Sequence, residues 1–499
     1  MTGCARGARP KGHHRRTIRR ARRSSVSLAL AIWLLTSCSA ARPARPPGHA
    51  DRVPAPTVQG LEGRSFTPRR PVTHEAMIGV QPNWYHLDQV RPYMRRLGGG
   101  SSWVPAVWCN LEREPGVWSW TALDGIVRQA RALDLTLELK IRVGACWLTQ
   151  RGPLYHTGYT TESEMPADIN SYAAFVHAVV TRYSALGVLT YAVENEPNTR
   201  YQWGGTLAQL LRLTRVAASA VRDADPRASV ADWGLSTGVY GDALAQRLLS
   251  FHKGGEAVAR YDQYYRTATP PLSAASVSHL DAILGSGQDH RNLIYLRADE
   301  RLLDTGVFDI RQLHFYESTA VLPSVIGYLR ATTPSDVPIE VWELGRHIRH
   351  DAKGPRAVVR SVCLLVAAGA REVNWLPLAA PPSGDEPNLA LLEASGTPRP
   401  AGLAYRRLAQ LVARASSFRS LTMPGLSGLV MTEPGHTTLV VWSQTGSAER
   451  LRLPPRTRVA ALPGRLRRGG RVVEVRRQPV RIEIDQSLAA LRQATAGDR

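Results

Sequence analysis

Two short segments end apolar runs on a carboxyl group. Residues 191–198 read Tyr-Ala-Val-Glu-Asn-Glu-Pro-Asn and place Glu196 at the close of one run; residues 339–345 read Ile-Glu-Val-Trp-Glu-Leu-Gly and place Glu343 at the close of another. Two carboxyls held face to face at about 5–5.5 Å can run a double displacement at an acetal carbon. One attacks the carbon, while the other, kept protonated by its neighbour's charge and partial burial, gives its proton to the leaving oxygen. Around this pair the sequence offers Asn195, the triplet His314-Phe315-Tyr316, and Trp375 after Asn374. Glu194 alternates with Glu196 and shares its side, as a buried, paired carboxylate or as a competitor for the proton-transfer role. Arg142 is its candidate partner or approaches Glu343 instead. Glu340 is the rival to Glu343, but it lies before the end of its run and is expected to point outward. Trp84, Trp103, Trp108 and Trp147 fall near the ends of earlier runs. Aromatic faces stack on ligand C–H faces and also pack in cores, so each has both readings.

Such acids work only if strands deliver them to one rim. Short β-branched or apolar runs at 77–80, 103–107, 136–143, 189–193, 229–232, 310–314, 339–342 and 372–376 alternate with helix-period segments at 122–133, 169–186, 207–223, 319–331 and 356–370. Eight strands in that alternation predict a (β/α)8 TIM barrel, whose strand C-termini carry the active groups. A doubly wound sheet would more often have a Gly-rich phosphate turn after its first strand, and Gly79-Val80-Gln81-Pro82 is not one. The carboxyls of the fourth and seventh strands would face each other across the mouth. Residues 239–305 interrupt the alternation with an aromatic-rich insertion, either a wall of the substrate cleft or a solvated helical excursion. From 416 to 490 short strands separated by turn residues predict a small C-terminal antiparallel β-sandwich. The barrel domain then spans 73–415, and residues 491–499 read as a tail.

Here the motifs meet a known pattern. Asn195-Glu196-Pro197 resembles the strand-four segment of glycoside hydrolase clan A, and Trp342-Glu343-Leu344-Gly345 resembles its strand-seven nucleophile segment. The stretch 111–124, Leu-Glu-Arg-Glu-Pro-Gly-Val-Trp-Ser-Trp-Thr-Ala-Leu-Asp, is similar to the passage after strand two in that clan. The resemblance covers roughly residues 75–415, is nearest to family 39-like or family 5-like retaining β-glycosidases, and often comes with a trailing sandwich. It implies Glu196 as general acid/base and Glu343 as nucleophile. It also implies that Asn195 contacts the sugar 2-hydroxyl, that Tyr316 of the His314-x-Tyr316 motif orients the nucleophile, and that Trp375 floors the sugar site. Trp84 is expected among the substrate-binding aromatics. The implied partner is an oligo- or polysaccharide, and the chemistry needs no cofactor or metal. A non-catalytic carbohydrate-binding or envelope-structural lipoprotein on a degenerate barrel is the alternative.

Charge and cysteines speak of address. The 499 residues carry a net +22, of which +11 lies in residues 1–50 and +8 in residues 451–499, leaving +3 over the 400 between. Only four of the 63 basic residues are lysines, so the excess is arginine. A nearly neutral body and an Arg-rich terminal module without interleaved aromatics argue against nucleic acid. Residues 1–37 read as an export leader, with a basic region, an apolar run at 26–35 half the length of a membrane span, and small residues. Leu35-Thr36-Ser37-Cys38 resembles a lipobox, which would attach the chain to a membrane through a lipidated Cys38; cleavage after Ala40 would release it. Residues 38–72, rich in Pro and Arg, read as a linker. Cys109 and Cys146 follow neighbouring strands and can pair in an oxidising compartment, Cys363 reads as a core residue, and no Cys/His spacing fits zinc.

Overall fold

The computed structural model describes residues 77–485 apart from 150–154, 157–158, 161, 269–270, 347–353, 383–388, 456, 463 and 471. The leader, Cys38, the linker and the tail lie outside these residues. Eight strands form two parallel four-stranded sheets. One contains β1 (Met77–Val80), β8 (Glu372–Trp375), β7 (Ile339–Leu344) and β6 (Arg311–Phe315) in that order; the other contains β2 (Ser101–Val107), β3 (Thr136–Arg142), β4 (Thr190–Val193) and β5 (Ser229–Ala231). The sheets meet at β5 and β6, where Ala231 bridges Ile310 in parallel and Asp309 N–H donates to Val230 O at 2.7 Å. They also meet at β1 and β2. There Gly79 lies so close to Ser101 that a Cβ on it would fall 2.0 Å from the Ser101 carbonyl oxygen, and only glycine allows that approach.

Alternation along the strands sorts side chains into two layers. In β3, Leu137, Leu139 and Ile141 pack in the main core, while Trp103 of β2, Ala192, Ala231, Ile310 and Trp342 form a separate buried cluster. Glu138 and Lys140 fall on the opposite face of β3 from its leucines, and both are buried.

The crossover helices are α1 (Arg91–Arg95), α2 (Thr121–Ala132), α3 (Ile169–Ser184), α4 (Leu207–Ala224), α9 (Leu322–Thr332), α10 (Gly354–Ala367) and α11 (Pro400–Val412). Their starts follow from local chemistry. Asp168 accepts from the N–H groups of Asn170 and Ser171 ahead of α3, and Thr206 and Gln209 form a reciprocal capping box ahead of α4. The insertion folds into four helices, α5 (Gly238–Ser250), α6 (Gly254–Tyr265), α7 (Val277–Leu284) and α8 (Gly287–Asp304). It is not a solvated excursion: Tyr240, Tyr261, Tyr264, Leu293 and Leu296 are buried in the main core. Among the described residues no helix is long and apolar enough to cross a membrane.

The C-terminal segment is antiparallel. Strands β9 (Ser417–Met423), β10 (Leu426–Glu433), β11 (His436–Ser443), β13 (Arg458–Ala461), β14 (Arg467–Arg468) and β16 (Val480–Ile484) form one six-stranded sheet. Strands β12 (Glu449–Arg452) and β15 (Val472–Val475) pair in a separate ribbon. Strand β9 was not expected from the sequence, because Ser-Phe-Arg-Ser-Leu-Thr-Met is only half apolar and gains its place by pairing along its whole length with β10. The sheet leans on α10, with the Arg360 guanidinium 5.3 Å from the centre of the Trp442 ring.

Candidate active site

Glu196 and Glu343 come together. A carboxylate oxygen of each and a ring nitrogen of His314 all lie within 4.8 Å of one another. His314 Nδ1 stands 3.0 Å from Glu196 Oε1 and 3.5 Å from Glu343 Oε2. The Tyr316 hydroxyl donates to Glu343 Oε2 at 2.8 Å. The backbone arranges this through irregularity at the strand ends. The β6–β7 register shifts between Gln312 and His314, and the β7–β8 register shifts between Val341 and Leu344. Such a shift re-aims the side chains beyond it.

The Glu194-Asn195-Glu196 turn carries strain. Glu194 has φ 63° and Glu196 has φ 43°, left-handed values that cost non-glycine residues roughly 1–2 kcal/mol each. Glu194 is fully buried and accepts from Val143 N–H and from the Ser163 hydroxyl, each at 2.9 Å. Arg142 Nε lies 3.5 Å from its other oxygen. Glu194 is therefore the buried, paired carboxylate of the two readings. Arg142 serves it and Glu162, at 2.7 Å, rather than Glu343.

The cation beside Glu343 is Lys140, which the sequence reading passed over. Its ammonium donates to Glu343 Oε1 and to Asn195 Oδ1, both at 2.6 Å, and lies 3.8 Å from the centre of the Trp103 ring. Burial lowers the Lys140 pKa, an effect opposed by the Glu343 charge. For Glu343, burial pushes the carboxyl up, but the His314 ring, the Lys140 ammonium and the Tyr316 hydroxyl outweigh it and hold the group down at about 2. A signal was available: one of four lysines in an arginine-dominated chain sits inside an apolar strand, in alternation with Glu138 and Arg142.

Lys140 also fixes Asn195. An ammonium has only donors, so the Asn195 amide must turn its oxygen toward Lys140, leaving its NH2 to face away. Among the described residues, Glu196, His314 and Glu343 are the one group of three close enough to share a metal ion. The ammonium and the Tyr316 hydroxyl already occupy Glu343, and a buried positive charge 2.6 Å from that carboxylate opposes a second cation there.

Three expectations need correction. Trp375 does not floor the site: it is fully buried in the main core, its ring meets Tyr405 of α11 edge-on at 6.1 Å, and its N–H donates to Leu389 O. Alternation in β8 turns Asn374 to the side of Ser101 and Trp375 to the helices. Trp84 is 4% exposed and spends its N–H on Trp103 O, so it supports Trp103 from within the core. Glu340 does not point outward. It is buried on the same side of β7 as Trp342, whose N–H it accepts at 2.8 Å, and it pairs with Arg371. Of the remaining tryptophans, Trp103 and Trp108 are buried and Trp147 is half exposed.

Cys109 and Cys146 form a disulfide between the segments that follow β2 and β3, and Cys363 is buried and free.

No protein-family model matches the sequence, and no curated protein does. The fold, by contrast, has many relatives among solved structures. A family 39 glycoside hydrolase from the gut symbiont Bacteroides cellulosilyticus superposes with a TM-score of 0.53 at 16% identity, over 82% of this chain and 81% of its own. A family 39 β-xylosidase from Caulobacter crescentus gives 0.53 at 13% identity, over 85% and 98%. A family 30 endoxylanase from Clostridium papyrosolvens gives 0.50 at 13% identity, over 84% and 98%. The fold of this chain is thus like that of clan A glycoside hydrolases. At such identities the likeness concerns architecture, and the chemistry rests on the residues above.

Proposed function

We propose that this chain is an exported retaining glycoside hydrolase on a (β/α)8 barrel with a C-terminal β-sandwich. It would cleave β-glycosidic bonds of an oligo- or polysaccharide by double displacement. The observation that carries the reading is the pair Glu196 and Glu343, brought within 4.8 Å at the ends of strands four and seven. That spacing suits direct attack by a carboxylate; an inverting pair stands about 6.5–9.5 Å apart to admit a water.

The two carboxyls take different roles. Glu343, ionised by Lys140, His314 and Tyr316, attacks the anomeric carbon. The bond from that carbon to the leaving oxygen breaks as Glu196 passes a proton to the oxygen. The sugar is then an ester of Glu343. Water attacks the same carbon, gives its proton to Glu196, and Glu343 leaves as carboxylate, restoring the site. Asn195 presents its NH2 toward the sugar. Export is supported by the leader-like residues 1–37 and by the Cys109–Cys146 disulfide, since such bonds persist in oxidising compartments.

The test is a panel of fluorogenic β-glycosides. Turnover by the wild type should vanish in Glu343→Ala and Glu196→Ala, and azide should restore aglycone release in Glu343→Ala by attacking the anomeric carbon itself, giving a glycosyl azide of inverted configuration. A wild type that turns over no glycoside in a broad panel sinks the enzyme reading and leaves a non-catalytic carbohydrate-binding protein.

A further inference from the structure

We propose that helix α8 of the insertion sets the position of Glu196 and that Arg291 is the positioning residue through which it acts. This rests on the acid/base role given to Glu196 above. The segment after Glu196 is gripped by the first two turns of α8. Arg291 Nε donates to Asn198 O at 2.8 Å, and one terminal nitrogen of its guanidinium donates to Pro197 O at 2.9 Å and to Trp203 O at 3.4 Å. Gln288 adds a bond to Asn198 O at 2.7 Å. The Asn198 side chain donates to Asn292 at 2.8 Å and to Ser236 at 2.7 Å, and accepts from Ser236 N–H at 3.1 Å. Beneath Arg291 lies the Tyr295 ring, 4.3 Å from the guanidinium carbon.

This grip has a purpose that packing alone would not require. Glu196 sits at φ 43°, a conformation that a non-glycine residue keeps only when its surroundings over-determine it. On the upstream side, buried Glu194 is tied to Val143 and Ser163. On the downstream side Thr199 holds the Glu196 carbonyl through its N–H at 2.9 Å and its hydroxyl at 3.0 Å, and the next oxygens along the turn, those of Pro197 and Asn198, take their donors from α8. A planar fork with several N–H groups in fixed directions can hold oxygens of three residues together; a point charge cannot. The insertion thus reaches the chemistry through the backbone, by holding the turn that aims a proton donor.

The prediction separates this role from general support of the fold. Misplacing a general acid slows bond cleavage when the leaving group needs a proton, and hardly at all when it leaves as a stable anion. In Arg291→Met, kcat/KM on a phenyl glycoside should fall on the order of 10²-fold, the cost of roughly 1 Å of misplacement. On the dinitrophenyl glycoside of the same sugar it should fall less than about threefold by the same argument. Azide should raise kcat on the dinitrophenyl substrate by intercepting the glycosyl-enzyme. Arg291→Lys should recover only part of the loss, and Gln288→Leu, which removes one donor on the exposed side of α8, should give a smaller skew of the same sign. Gln288→Leu also keeps the test valid if Arg291→Met does not fold. Equal losses on both substrates, or no loss on the phenyl glycoside in either variant, overturn the inference. The wild-type rates in the same assay report separately on the glycosidase reading, and their absence would overturn both.

Discussion

Replacing Lys140 by methionine removes the ammonium that touches Glu343 and keeps most of the buried stem. At 2.6 Å the pair attracts with about 6 kcal/mol for an effective dielectric of 20. The desolvation of both groups offsets part of this, and taking one partner from a buried pair typically costs about 3–5 kcal/mol. At 1.36 kcal/mol per pKa unit, that loss raises the Glu343 carboxyl by roughly 2–4 units. The wild-type carboxyl, held at about 2, is ionised across the neutral and mildly acidic range. If Glu343 is the nucleophile proposed above, its contribution to rate is lost only as pH falls through that value. In Lys140→Met the loss should come at higher pH, with the acid limb of kcat/KM moving up to roughly 4–6 by the same conversion. The remaining groups facing Glu343 are His314, Tyr316 and Glu196, and they are unchanged in the variant. The assay is kcat/KM on an aryl β-glycoside from pH 3 upward, beside thermal melts at each pH. An acid limb in Lys140→Met that coincides with the wild type's, with the fold intact, would refute the electrostatic reasoning.

Three further expectations concern the frame around the pair. Gly234, at φ 57°, lies so close to His314 that a Cβ would fall 2.4 Å from Nε2; Gly234→Ala should lower kcat/KM on the order of 10²-fold by displacing the ring, measured beside a melt that retains the fold. Glu372, buried near Glu340 and Glu138, has its carboxyl pushed up to about 8, first by burial and then by the Glu340 charge. Its raised pKa means that the stability it contributes is complete below pH 4.5 and is lost as pH rises toward 8; Glu372→Gln should therefore melt higher than wild type at pH 8 and lose that advantage near pH 4.5. The disulfide joins positions 37 residues apart, and chain entropy assigns such a loop about 4 kcal/mol; Cys109→Ser/Cys146→Ser should lose unfolding free energy of that order in a urea titration, and an unchanged midpoint would count against the bond.

Much of this protein was legible along the chain. The eight parallel strands fall within two residues or so of their apolar runs, because a strand buried between helices and interior has little choice but β-branched and apolar residues. The two carboxyls stood out because each ends such a run. What the sequence could not supply was direction at those ends. The bulges after Gln312 and Val341 break the simple alternation. Glu340 was expected outward because it precedes the end of its run, and Trp375 was assigned to the site by motif alone. Lys140 was hidden for a different reason. A lysine in a strand is ordinarily a surface residue, and only the meeting of β3 with β4 and β7 supplies the carboxylate and amide that let its charge be buried. The same holds for α8. Its Arg291 lies 95 residues from Glu196, with no local pattern to join them. Sequence by itself determined which residues could be strands and helices and that two of these strands end on carboxyls, since these follow from period, composition and side-chain chemistry; the division into acid and nucleophile came from the resemblance to clan A. Tertiary structure decided which charges meet, because burial of a charge depends on a partner that distant segments bring to it.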